Sequence, residues 1–197
     1  MRRKILYFGL CMLLVGTGLI GCAGMTTKAT DQNFKNPVVT LDSMEVAHAF
    51  GYWYFAKTVQ PTKGTPDAVG APLDLAFTFN VQNPNDFAIK LENLKFTVAF
   101  EDFDLNTVST DAAQWIPPGK TNQVRVHAHF DVQQSLLSLM VTSGFKLKEK
   151  DTNAWAALEK WWTKMPSYEV PIQVKEGSAL FSADQVSKVS SFKAVFP

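Results

Sequence analysis

Strict alternation of apolar and polar residues between Leu73 and Val81 is the feature that most restricts how this chain folds. The apolar members are Leu73, Leu75, Phe77, Phe79 and Val81. Successive side chains of a β-strand point to opposite faces, so this spacing predicts a strand with one buried face. The segments LKFTVAF (94–100) and VRVHAHFDV (124–132) repeat the pattern. Short strands separated by turn signals predict a sandwich of two antiparallel sheets.

Two stretches depart from this alternation and have helical spacing. They are QQSLLSLMVTSGF (133–145) and DTNAWAALEKWWTKM (151–165). In the second stretch Trp155, Leu158, Trp162 and Met165 recur at intervals of three and four, which predicts one apolar stripe. Thr152 or Asn153 is the candidate N-cap of that helix. The sandwich is therefore expected to carry a short helical insertion near 133–165.

The first 22 residues combine a basic start with an apolar run that ends at a cysteine. MRRK is followed by ILYFGLCMLLVGTGLIG and Cys22, a pattern typical of a secretory signal. The last four residues, Leu19-Ile20-Gly21-Cys22, resemble the lipobox of bacterial lipoproteins. This resemblance implies cleavage of a signal peptide, residues 1–21, and lipidation of Cys22. An uncleaved signal anchor is the alternative, although the run is at the lower limit of about 17 residues for a spanning helix.

The residues after Cys22 predict a tethered domain. Residues 22–36 are polar and aperiodic, which favours a flexible, lipidated tether, and residues 37–197 form the domain. An aspartate directly after the lipidated cysteine resembles the inner-membrane retention signal of some lipoproteins, and this chain has Ala23 at that position. The resemblance therefore implies anchoring in the outer membrane, facing the periplasm. Removing residues 1–21 changes the formal net charge from +1 to −2. A nearly neutral domain has no electrostatic footprint for nucleic acid, and we expect no nucleic-acid partner.

A proline-containing break separates the first two predicted strands. Asn83-Pro84-Asn85 follows Val81-Gln82 and precedes the next alternating segment. Proline fixes φ, and asparagine side chains hydrogen-bond to nearby backbone, so the triplet predicts a structural corner. A ligand site at this corner is the alternative.

The order of these segments resembles a known family. FNVQNPNDFAIKLENLKFTVAF (79–100) and IPPGKTNQVRVHAHF (116–130) are similar to the water-stress and hypersensitive-response (WHy) domain of late-embryogenesis-abundant type 2 proteins. The resemblance implies an all-β fold, a fibronectin/immunoglobulin-like antiparallel β-sandwich, over roughly 37–197. It also implies a link to desiccation and stress responses, including protection of other proteins. The segment 51–71 and the helical insertion are longer than in a minimal domain of this kind.

Few side chains suggest chemistry. His127 and His129 lie on one strand face and are a candidate zinc pair if a third ligand converges, with an exposed polar face as the alternative. Glu101, Asp102 and Asp104 lack the ligand spacing and glycine of an EF-hand, which favours a solvated hairpin end. The sequence contains no G-x-S-x-G, glycine-rich phosphate loop or C-x-x-C. We therefore predict no enzyme activity, no metal and no cofactor.

Adjacent aromatic residues are the candidate partner-contact sites. They are Trp53 and Tyr54, and Trp161 and Trp162. Since Trp161 and Trp162 are neighbours on a helix, we expect at most one to point squarely into the core; exposed rings would mark a protein or membrane contact. Burial of these rings is the alternative. The expected function is stress-related binding or shielding of other macromolecules by a lipid-anchored, non-enzymatic protein. The alternative is an accessory or docking subunit of an envelope complex.

Overall fold

The computed structural model describes residues 27–49, 71–110 and 112–197. The strands are β1 (Val38–Ala49), β2 (Leu73–Gln82), β3 (Ile89–Phe100), β4 (Phe103–Thr110), β5 (Gln114–Ile116), β6 (Thr121–Phe130), β7 (Ile172–Ala183) and β8 (Val186–Phe196). The helices are α1 (Val132–Thr142), α2 (Gly144–Glu149) and α3 (Ala154–Lys164), followed by a 3-10 turn at Met165–Ser167. The predicted signal peptide, Cys22, Trp53 and Tyr54 lie outside the described residues.

The strands form two antiparallel sheets that pack face to face. In the first sheet β2 lies between β1 and β6. In the second sheet the order is β4-β3-β7-β8, and β5 pairs with the first residues of β3, beside the stretch that pairs with β4. The predicted fold class, an antiparallel β-sandwich with a short helical insertion, is confirmed.

The core lies where the inward faces of β2, β3 and β6 meet. The five alternating apolar residues of β2 are all buried, as are Leu94, Phe96, Val98 and Phe100 of β3. The ring of Phe96 lies 5.2 Å from that of Phe77 and 5.0 Å from that of Phe79, both edge to face. Aromatic pairs in this geometry stabilise a core by about 0.5–1.5 kcal/mol beyond their burial. Alternation in the sequence therefore places the core correctly.

The helical insertion closes one end of the sandwich. Asp131 caps α1 by accepting from the Gln134 amide at 2.7 Å, and Asn153 caps α3 by accepting from the Ala156 amide at 3.0 Å. The insertion joins the end of β6 to the start of β7. Among the described residues, no helix has the length and apolar character needed to cross a membrane.

The last residues before β1 pack on the opposite end of the sandwich. The Ala29 amide donates to Asp184 in the β7–β8 turn at 2.7 Å, and the Phe34 ring lies 5.6 Å from that of Phe87. Both Ala29 and Phe34 are buried. The prediction that residues 22–36 are a flexible tether is therefore wrong for residues 29–36. These residues belong to the domain, because one aromatic ring and directed hydrogen bonds hold them in place.

Candidate functional site

The Asn83-Pro84-Asn85 triplet forms the corner between β2 and β3. Asn83 is fully buried. Its amide nitrogen donates to the carbonyls of Phe87, Ile116 and Pro117 at 2.8, 3.1 and 3.1 Å. Its side-chain oxygen accepts from the backbone and the side-chain nitrogens of Asn85, both at 3.0 Å. One side chain therefore joins the corner to the turn that precedes β6.

Asn85 continues this network to the N-terminal segment. Its side chain accepts from the Lys35 amide at 2.7 Å and donates to the Lys35 carbonyl at 3.0 Å. Its own carbonyl accepts from the amide of Gly119, whose positive φ of 64° suits glycine. Because the two asparagines direct these hydrogen bonds to the chain's own backbone, the geometry supports a structural role rather than a ligand site.

The two adjacent tryptophans of α3 are both in the core. Trp161 and Trp162 are 0% and 2% exposed. The Trp161 ring packs against Phe100 and Phe103, at 5.6 and 5.4 Å between centroids, and Trp162 donates its indole N–H to the Ala71 carbonyl at 2.8 Å. The predictions that at most one points into the core, and that Trp161 and Trp162 contact a partner, are wrong. Both rings are enclosed because α3 lies across the open end of the sandwich.

The two histidines of β6 share one carboxylate on the outer face of the first sheet. Asp74 of β2 lies opposite His129. Nδ1 of His127 is 2.9 Å from an Asp74 oxygen, and Nδ1 of His129 is 3.5 Å from the other. Within residues 27–49, 71–110 and 112–197, no group of three or more His, Cys, Asp or Glu side chains is arranged to hold a metal ion. The side chains of His127 and His129 are 43% and 76% exposed, so the pair lies on an exposed polar strand face.

The acidic β3–β4 hairpin pairs with lysines of the insertion and of β7. Asp102 contacts Lys146 at 2.6 Å and Lys175 at 3.1 Å, and Glu101 contacts Lys160. Hydrogen bonds from Lys146 and then Lys175 lower the pKa of Asp102 to about 2. Both hairpin residues have positive φ, 56° and 140°, which these contacts help to offset. The cluster ties α2 and α3 to the sheet.

Trp155 of α3, predicted to belong to the buried stripe, is 39% exposed, and four apolar side chains of α1 and α2 are more exposed still. They are Leu137 at 55%, Met140 at 65%, Val141 at 82% and Phe145 at 91% exposed. We call these four residues the α1–α2 apolar face. This face was not predicted from the sequence. Its signal is present in LLSLMV (136–141), which contains more apolar residues than one buried stripe can hold.

A groove borders this face. It has a volume of about 570 Å³ and lies between the end of α1, α2 and the segment that leads into α3. Met140, Gly144, Leu147 and Ala154 line one part of it, and Lys148, Asp151, Thr152 and Asn153 add polar groups. A groove that combines apolar and polar groups can hold an apolar side chain against Met140 and Leu147.

Replacing Asn83 with alanine tests the corner. The Asn83→Ala variant loses the donors that satisfy three carbonyls, so we expect the free energy of unfolding to fall by about 2–3 kcal/mol. Asn80→Ala is the matched control, because the Asn80 amide donates to Asp42 at an exposed site, and we expect a loss below about 0.5 kcal/mol. Urea unfolding followed by tryptophan fluorescence measures both. Equal losses in the two variants would contradict the assigned role.

Acid titration tests the hairpin ion pairs. Because the pKa of Asp102 is about 2 in the folded state and ordinarily 3.8, its ionised form stabilises the fold above about pH 4. This contribution is lost as the pH falls through about 2. At pH 6 we expect the free energy of unfolding of wild type to be higher than that of Asp102→Asn. The difference should be less than about 1 kcal/mol, because the Asp102 side chain is partly exposed. Urea unfolding should show this gap closing at pH 2; a constant gap would refute the assignment.

Comparison with known proteins gives one family match. Residues 78–175 match the family model described as "Late embryogenesis abundant protein". No curated protein matches the chain. Among solved structures, a protein from Archaeoglobus fulgidus is 11% identical, with 79% of this chain and 94% of that chain covered and a TM-score of 0.42. A Bordetella pertussis protein proposed to be an ApaA protein is 7% identical, with 82% and 92% covered and a TM-score of 0.40. The family match supports assigning residues 78–175, from β2 to β7, to the late embryogenesis abundant family.

Proposed function

We propose that the protein is a non-enzymatic lipoprotein of the bacterial outer membrane that protects or binds other macromolecules under stress such as desiccation. The observation that carries the proposal is the family match over residues 78–175. That family is linked with stress, and the match covers the corner, the core strands and the insertion. The role proposed is physical contact with other macromolecules, not chemistry on a substrate.

The geometry of the described residues supports contact rather than catalysis. The carboxylates that converge at the β3–β4 hairpin are paired with Lys146, Lys160 and Lys175. Such pairs keep the acids ionised and occupied, whereas a general acid or base needs a free position beside its substrate. The exposed apolar surface of the insertion is the feature suited to binding.

The lipid anchor is supported by the residues that precede the domain. Leu19-Ile20-Gly21-Cys22 has the lipobox pattern, and Ala29, which is buried in the domain, is seven positions after Cys22. Seven residues extend over at most about 25 Å. The anchored domain would therefore lie close to the membrane surface, with the Asn83 corner and the β7–β8 turn nearest to it.

Replacing Cys22 tests the anchor. Wild type is expected in the membrane fraction with a mass increase of a diacylglycerol thioether and an N-acyl chain. The Cys22→Ala variant cannot form the thioether, so we expect it to keep its signal and lack this mass. Cys11→Ala is the matched control and should be processed like wild type. Mass spectrometry of protein extracted from the bacterial envelope distinguishes these species; an unmodified Cys22 in wild type would contradict the anchor.

Aggregation of a second protein tests the protective role. We expect the full chain, held in nanodiscs of uncharged lipid, to reduce the light scattering of heated or rehydrated citrate synthase at an equimolar ratio. Empty nanodiscs are the control. No reduction at that ratio would contradict protection. A stable, defined partner that copurifies after gentle extraction would instead favour an accessory or docking subunit of an envelope complex.

A further inference from the structure

We infer that the α1–α2 apolar face is a docking surface for short apolar segments of unfolded protein chains. This inference rests on the proposed function and names the surface and the kind of partner through which protection would act.

The two faces of α1 carry the first step. Val132, Ser135 and Leu139 are buried against the domain, whereas Leu137, Met140 and Val141 are exposed. The exposed set has the spacing i, i+3 and i+4, which gives a second apolar stripe on the same helix. A helix that needed only to cover the sandwich would carry polar residues there. The exposed stripe is therefore available for a contact outside the domain.

The surroundings of the stripe indicate the chemistry of its partner. The charged side chains that line the groove beside the stripe are Lys148 and Asp151, one of each sign. This pair adds no net charge, so it attracts neither an anionic lipid surface nor a strongly charged peptide over a distance. The groove beside Met140 provides space for apolar side chains. A near-neutral, apolar segment fits both features.

The size of the face favours a short segment over a second copy of the chain. Four exposed side chains of this kind present roughly 300–500 Å² of apolar surface, within the range of the largest patch on a monomer. A stable protein dimer buries about 800 Å² on each partner. The face is about half that size, which suits a weak and reversible contact with a few side chains.

The position of the face argues against the anchoring membrane as its partner. Residues 29–35 pack beside the β7–β8 turn and the Asn83 corner, whereas the insertion joins the start of β7. The twelve residues of β7 separate these two ends by about 36 Å. A chain anchored at Cys22 would reach the membrane from the corner end, so the α1–α2 apolar face would point away from it.

Binding of an unfolded chain tests the inference. The probe is fluorescently labelled, reduced and carboxymethylated lactalbumin, added to the full chain in phosphatidylcholine nanodiscs. The double variant Met140→Ser/Phe145→Ser removes two exposed side chains, and we expect about a tenfold increase in the Kd measured by anisotropy. The matched control is Val189→Ser/Val195→Ser on β8, where the side chains are 55% and 67% exposed. We expect this control to bind as wild type does.

Each other outcome overturns the inference. If wild type and the double variant bind lactalbumin equally, the docking surface is wrong while the proposed function stands. If wild type does not bind the probe at all, both the docking surface and the proposed binding of unfolded chains are wrong. If the double variant no longer binds added phosphatidylglycerol vesicles but still binds lactalbumin as wild type does, the face is a lipid-binding surface instead. A wild-type dimer that dissociates in this variant during sedimentation, again with lactalbumin binding unchanged, would assign it to a second copy.

Discussion

Burial of the alternating residues of β2 against those of β3 is the interaction on which the rest of the structure depends. Phe77, Phe79 and Phe96 join the two sheets through edge-to-face contacts of 5.0 and 5.2 Å. Each fully buried large apolar side chain stabilises the fold by about 1.5–3 kcal/mol. Once these faces meet, the connection between β2 and β3 has to turn within a few residues. The buried Asn83 amide donates to the Phe87 carbonyl of this turn and to the Ile116 carbonyl of β5.

The two ends of the sandwich are closed in different ways. One end is held by hydrogen bonds, and the other is closed by a packed insertion that also carries exposed apolar side chains. At one end the Asn83 side chain donates to the Pro117 carbonyl, and the Asn85 side chain accepts from the Lys35 amide of the N-terminal segment. At the other end Trp161 and Trp162 enter between the sheets and fix the insertion by packing. With Trp161 and Trp162 in the core, the most exposed apolar side chains of the insertion are those of α1 and α2. The surface that we propose for external contact therefore does not include Trp161 or Trp162.

Much of the fold could be predicted from the sequence, because strict alternation of apolar and polar residues over five or more positions indicates a half-buried β-strand. The β2, β3 and β6 faces, the corner and the helical insertion follow from such local patterns. Burial of both Trp161 and Trp162 could not be predicted from the sequence. Neighbouring helical residues point about 100° apart, so both rings are enclosed only if the rest of the domain contacts the helix on two sides. Packing of residues 29–36 was hidden for a similar reason. Their polar composition resembles a linker, while Phe34 and the Lys35 backbone find partners far along the chain.

Crosslinking in the living cell tests the central claim, that the α1–α2 apolar face contacts other protein chains. A photoreactive amino acid placed at Met140 would be activated during drying and rehydration, and compared with the same group at Val189 of β8. Mass spectrometry then identifies what each position captures. If the face makes this contact, we expect crosslinks from position 140 to many different envelope proteins, increased by stress, and few from position 189. Equal yields at the two positions, or capture of lipid alone from position 140, would contradict it.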